Sequence, residues 1–436
     1  MSNRTCRPGL TLAAGACLFA VGFTLTGPGC GSGPSSDKQP AATATGQYAF
    51  WPLFPDEPRI QFIQSFGSSA DLSPRKSSGL DELVFGKDST SEAMIQKPYG
   101  VAMRDGKIYV CDIRAGCLTV LDLKKKETRL LGVTGVNRLE HPVAVAVAPD
   151  GEIYVADNER GAILVYDASE RYSRTLGFPK FKPSALAVSE DRVYACDMTA
   201  QVVQVLDRKD GRKVLTIGTV GDGDGQFRVP LGVSLDPQGN VVVVDMMRCR
   251  VQKFSPDGTY ISGMGKLGDH AGSFARPKHL AIDKDGIKYI VDAAFQNVQM
   301  FDDKDNLLMA FGSMGTFPGA MDLPAGICVA EGDIAGFSQL VHPGFDAVRY
   351  VVVTNQFGNN KVSLYAMGRV KEGWTAQQLA AVAAPVTAGV GVKEESVKFQ
   401  ELGDMGDPNA EPAGEAPAEP GAEPETRQPA TTGKPR

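Results

Sequence analysis

The chain has 436 residues, of which 42% are hydrophobic and 22% charged, an ordinary globular composition that allows a large buried core. Its formal charge is -6, and the stretch Glu401 to Arg436, with eight acids and three bases, supplies five of those units. The remainder is close to neutral, which removes any electrostatic reason to expect DNA, RNA or an anionic lipid surface as a partner.

The N-terminus reads as an export signal over residues 1–29. Arg4 and Arg7 precede an apolar, small-residue stretch from Leu10 to Leu25, which is shorter than the ~20 residues a membrane span needs. Cys30 follows small residues at its end and resembles the lipidated cysteine of a bacterial lipoprotein, although Gly27 and Pro28 stand where that pattern prefers Leu and Ala or Ser. Lipidation at Cys30 is the expectation; a soluble secreted protein is the alternative. Residues 30–58 follow as a linker, and the Tyr48 to Pro58 run is too proline-rich to suggest a strand or helix.

From Arg59 onward one plan repeats six times: a proline, a short apolar strand, a polar turn, a second strand ending in Asp, another turn, and a third strand. The prolines are Pro98, Pro142, Pro183, Pro230, Pro277 and Pro324, spaced 44, 41, 47, 47 and 47 residues apart. Second strands end at Asp112, Asp157, Asp197, Asp245 and Asp292, with Thr354 in the sixth unit. The last three units are preceded by G-x2-G-x3-G-x-[Phe or Met]-x2-Pro, starting at Gly218, Gly265 and Gly312. A fourth strand follows each of the first five units. The sixth lacks one, while Ile63 to Phe66 stands ahead of the first unit with no three strands before it. Pairing that orphan strand with Lys361 to Tyr365 closes a ring and removes the exposed edges.

The expected fold is therefore all-β: a six-bladed β-propeller over residues 59–367, with an N-terminal strand completing the last blade. An extension at 368–400 carries a short helix capped by Thr375, and the Pro/Ala/Glu-rich acidic tail at 401–436 cannot bury enough apolar surface to order itself. The repeated strands and the YVAD-type second strands resemble NHL repeats, most closely in the fourth and fifth units.

Candidate chemistry is sparse. An Asp that recurs in blade after blade serves the blade, by accepting backbone N–H bonds. Asp222-Gly-Asp224-Gly225 lacks the further acidic ligands of a calcium loop and reads as a turn. An amidating-lyase-like propeller would place several histidines around its channel to hold zinc. Here the residues two after each proline are Gly100, Ala144, Ala185, Gly232, His279 and Gly326, and one histidine makes no zinc site. A metal and a cofactor are accordingly not expected.

Lys278 and His279 nonetheless break the ring's pseudo-symmetry where the innermost strand begins. They stand as candidates for holding a small anionic or polar ligand at the channel mouth, against the reading in which His279 fills space left by small neighbours. Arg114, Arg160 and Arg248, in the turns after the second strands, are candidates for contact with a protein or peptide. Cys111, Cys117, Cys196, Cys249 and Cys328 are odd in number, so they cannot all pair; Cys111 and Cys117 flank one turn and could pair if close enough. The expected role is a binding or scaffolding module at a cell envelope, with an envelope protein or peptide as partner. A metal-assisted lyase or hydrolase at the channel mouth is the alternative.

Overall fold

A computed structural model describes residues 48–72, 94–331 and 337–384. The expected signal, Cys30 and the acidic tail lie outside the described residues.

Five four-stranded antiparallel sheets and one five-stranded sheet account for nearly all of the strands. Each innermost strand opens on the expected proline: Pro98–Arg104, Pro142–Val147, Pro183–Val188, Pro230–Leu235, Pro277–Ile282 and Pro324–Glu331. The three inner strands of a blade are covered on both sides by neighbouring blades, which is why KIYVCD and VVVVD read as continuous apolar runs. Fourth strands such as Glu127–Leu131 lie at the rim, with every residue exposed or partly exposed in this case. The cores lie between blades: Tyr154 and Val165 of the second, for instance, pack with Val193 and Ala195 of the third.

The glycine-rich motif owes its spacing to one packing event. Phe227 and Phe274 drop from the blade connection into the core with no exposed surface, and Met321 does the same. A Cβ on Gly218 would lie 2.3 Å from the Phe227 ring, one on Gly265 2.5 Å from Phe274, and one on Gly312 2.5 Å from Met321. All three glycines have φ of +81° to +84°, so no other residue meets both demands.

The ring closes as the orphan strand implied. Ile60–Phe66 pairs antiparallel with Val362–Val370, with Phe66 opposite Val362 and Ser65 opposite Ser363. The proline-rich run before it differs from expectation: Phe50–Trp51 adds a fifth strand to this blade, pairing with Gln61 and Ile60. Trp51 leans on Tyr365 at 6.0 Å between ring centroids, so aromatic burial overrides the local proline content. The helix is Ala376–Ala380, capped reciprocally by Thr375 and Gln378, and it buries Leu379 against the same blade.

Candidate binding face and channel mouth

Each blade anchors its inner strand by one device. The proline pairs with the end of the second strand, at Asp112, Asp157, Asp197, Asp245 and Asp292. These carboxylates accept N–H bonds from the residues just ahead of the proline, and those of Asp112, Asp157, Asp197 and Asp292 also from the turn that follows. Asp112 takes four, from Gln96, Lys97, Arg114 and Ala115, at 2.6 to 3.1 Å. In the sixth blade Pro324 pairs with Asn355, not Thr354, and Asn355 accepts from the Asp322 N–H. The equivalent of the aspartates is thus one residue later than its sequence spacing suggests. Thr354 instead donates through Oγ1 to the Tyr99 carbonyl at 2.5 Å, tying the last blade to the first.

That anchoring fixes where the inner side chains aim. The position two after the proline points at the next blade: a Cβ on Gly100 would lie 2.6 Å from the Val143 carbonyl, and one on Gly326 2.2 Å from the Tyr99 carbonyl. Its small residues are therefore demanded by blade packing rather than by an open channel. His279 holds the same place in the fifth blade and lies against Ile327 of the sixth. Its Nδ1 is enclosed without a hydrogen-bond partner, and desolvation lowers its pKa to about 4 against an opposing backbone bond at Ile327. It shares no group of three His, Cys, Asp or Glu able to hold a metal among the described residues.

Lys278, one residue earlier, does something else. It is 3% exposed, and its Nζ crosses from the fifth blade to donate to Gln356 Oε1 at 2.8 Å, while lying 5.6 Å from the Tyr99 ring centroid. Burial lowers its pKa to about 7, with further repulsion from Arg276 and Lys97. Arg276 and Lys97 each immediately precede a blade proline, and their carbonyls accept from Ala293 and Ile113 at 3.0 and 3.1 Å. Lys97 Nζ lies 6.0 Å from the Phe357 ring centroid.

The three candidate arginines do not join this group. Arg160 donates to the Val136 and Arg138 carbonyls and braces its own connection. Arg248 pairs with Asp222 at 2.6 Å, which Arg228 grips as well, so the Asp222 carboxyl is held far below its usual range. Asp224 pairs with Arg250, so both acids of the suspected calcium fragment are engaged by arginines, as a turn requires. Arg114 is exposed and stands near enough to Lys361 to lower its pKa, though burial is the larger cause. Reading positions after each proline led to Lys278; reading the position before it would have led to Lys97 and Arg276.

The face that carries these groups also carries the blade connections and the turns after the second strands. Val136, Met198, Met247, Leu267, Met314 and Phe357 are exposed there, at 37% to 88%. The short hairpin turns at the opposite end are built mainly from Asp, Gly, Lys, Ser and Pro, as in Asp105-Gly106 and Ser255 to Gly258; among the described residues the exposed apolar side chains at that end are fewer, as with Val348 and Trp374 of the sixth blade's excursion and extension. Of two shallow grooves, one is lined by Tyr194, Leu235 and Pro256 away from this face, and the other, lined by Arg250, Tyr260 and Leu267, borders it.

All five cysteines of the described residues are free. Cys117 stands opposite Asp112 and Cys111 opposite Leu118, which sets the two thiols on opposite faces of the sheet and prevents their pairing. Burial pushes the Cys117 and Cys249 thiols up to about 11, and Cys111 well above the ordinary value.

Residues 139–166 match the NHL repeat family model. Among curated proteins, the chain is 42% identical over 50 residues to the E3 ubiquitin-protein ligase TRIM71 of Rattus norvegicus, covering 12% of this chain and 6% of that one. It is 44% identical over 46 residues to that of Gallus gallus, covering 11% and 5%. The chain therefore spans a small fraction of the length of these relatives. Among solved structures, a structural genomics protein of unknown function from Bacteroides thetaiotaomicron aligns with a TM-score of 0.50 and 17% identity, over 71% of this chain and 75% of that one.

Proposed function

We propose that this chain, a six-bladed β-propeller carrying an NHL repeat, is an exported, lipid-anchored binding module of a bacterial cell envelope. It holds a protein or peptide partner on the face made by its blade connections. The observation that carries this reading is the asymmetry of the disc: exposed Met, Leu, Val and Phe side chains ring one face, together with a group of cations, while on the other face exposed apolar side chains such as Val348 and Trp374 are confined to the sixth blade's excursion and extension rather than spread around the ring. Export and anchoring rest on Arg4, Arg7, the Leu10 to Leu25 stretch and Cys30. The matched stretch of the ubiquitin ligases is about one blade long, which supports a shared repeat and gives no ground for ligase chemistry here.

The test is to solubilise the full-length protein from its native envelope, identify co-purifying proteins by mass spectrometry, and measure metals in the same eluate. A partner near equal stoichiometry that disappears in the double variant Met247→Asp, Phe357→Asp supports the reading. One equivalent of metal that disappears in His279→Ala, with no partner, would replace it with a metal-assisted lyase or hydrolase.

A further inference from the structure

We propose that Lys278 and Gln356 form a carboxylate-binding subsite at the channel mouth, filled by an acidic residue of a bound peptide. This rests on the binding reading above and adds the chemistry of the contact.

A buried ammonium is costly unless an anion and hydrogen bonds compensate it. Lys278 has a neutral amide oxygen and an aromatic face, and the charges that act on it, Arg276 and Lys97, are both positive. An ammonium has three donors, and the Gln356 amide occupies one. Other blades place Val143, Leu231 and Ala325 at the same position, so the fold itself does not demand a cation there. Gln356 turns its oxygen toward Lys278, which leaves its NH2 as a second donor beside the ammonium. A carboxylate accepts from both with its two oxygens.

A phosphate is a poorer fit. Phosphate sites are built around clustered backbone N–H groups. Here the N–H groups of the two residues ahead of each nearby proline are already taken by Asp112 and Asp292. One deeply buried positive charge also matches one negative charge, with Lys97 and Arg276 set to draw in further acidic residues of the same segment.

The experiment titrates the full-length protein with the blocked tripeptide Ac-Ala-Glu-Ala-amide, its Gln counterpart and inorganic phosphate, read by calorimetry and by the melting temperature. The Glu peptide is expected to bind saturably, at least tenfold tighter than the Gln peptide and tighter than phosphate. Lys278→Met is expected to weaken Glu-peptide binding at least tenfold while raising the melting temperature without ligand, because it removes an uncompensated buried charge. A merely structural lysine would lower it. Gln356→Leu gives an independent reading should Lys278→Met fail to fold, with the same loss of discrimination between Glu and Gln. Equal binding of Glu and Gln peptides, tighter binding of phosphate, or unchanged binding in both variants overturns the proposal.

The chain's own acidic stretch after Glu401 is one source of such a carboxylate, and a chain ending at residue 400 separates the two sources. Tighter Glu-peptide binding by the shortened chain assigns the carboxylate to that stretch; unchanged binding assigns it to a second molecule. A partner captured equally by wild type and Lys278→Met sinks this inference and leaves the binding reading standing. Saturable Glu-peptide binding with no captured partner does the reverse.

Discussion

Phe66 and Val362 lie opposite one another across the seam that closes the ring, one from the first long strand among the described residues and one from the last. Phe66 has no exposed surface and packs against Phe337 at 5.7 Å between centroids. Truncating a fully buried aromatic removes its transfer energy and leaves a cavity, so Phe66→Ala is expected to cost about 3–5 kcal/mol in urea unfolding. The whole ring should respond as one transition, because this strand belongs to the blade that joins both ends. A loss below about 1 kcal/mol would mean that the seam contributes little and that the ring is held by its other blades.

Asp245 serves the fourth blade by accepting from the Arg228 and Val229 N–H groups at 2.8 and 2.9 Å, with no surface exposed. Asp245→Ala leaves two partly buried donors without this partner and is expected to destabilise by about 1–3 kcal/mol. Asp245→Asn keeps one acceptor oxygen and should recover part of that, as Asn355 does in the sixth blade. Equal losses in the two variants would show that the carboxylate acts by charge rather than as an acceptor. Amide exchange at Arg228 and Val229 provides the local readout.

The ring was legible because its signals repeat. Prolines recur at nearly constant spacing, second strands end in Asp, and an orphan strand matches a missing one. Single events were not legible. Asn355 replaces Asp one residue late because the sixth blade has a long excursion between its first two strands, and spacing gives no register across an irregular insertion. The burial of Phe50 and Trp51 was hidden by neighbouring prolines. At the candidate site, the sequence drew attention to Lys278 and His279 as a pair, yet the bulge after Pro277 separates their roles. His279 wedges between blades, whereas Lys278 reaches across the mouth to groups from two other blades, and no linear pattern encodes that meeting.

Glu152 carries a pH dependence of its own. Arg174 grips it at 2.6 and 3.0 Å, Tyr154 donates at 2.6 Å and Arg208 at 3.1 Å, linking the second blade to the third. The Arg174 bonds are the largest cause lowering its pKa from 4.5 to about 2. Because the folded value is the lower one, its stabilisation is present above pH ~4.5 and is lost as pH falls toward ~2. After discounting for its partial exposure, the loss is about 2 kcal/mol. Glu152→Gln should unfold with a flatter stability profile across that window, measured by denaturant midpoints at each pH. A slope equal to the wild type's would place the acid sensitivity at other carboxylates.

His279 acts in a higher window. Burial lowers its pKa from 6.5 to about 4, so the unfolded chain takes up a proton that the folded one refuses. Stability is full above pH ~6.5 and falls progressively toward pH ~4. With the ring half-buried rather than sealed, the loss is about 2 kcal/mol. His342 shifts in the same direction by burial, beside Tyr48 and Trp374, so a His342→Phe background isolates the His279 contribution. In that background His279→Gln should lose the slope between pH 6.5 and 4 while remaining folded at pH 7.5. The two readings of His279 then part. A residue that only fills the gap between blades moves stability and its pH profile but leaves Glu-peptide binding at Lys278 unchanged. A ligand-holding imidazole would weaken that binding as well, with the strongest effect at the pH where the ring takes its proton.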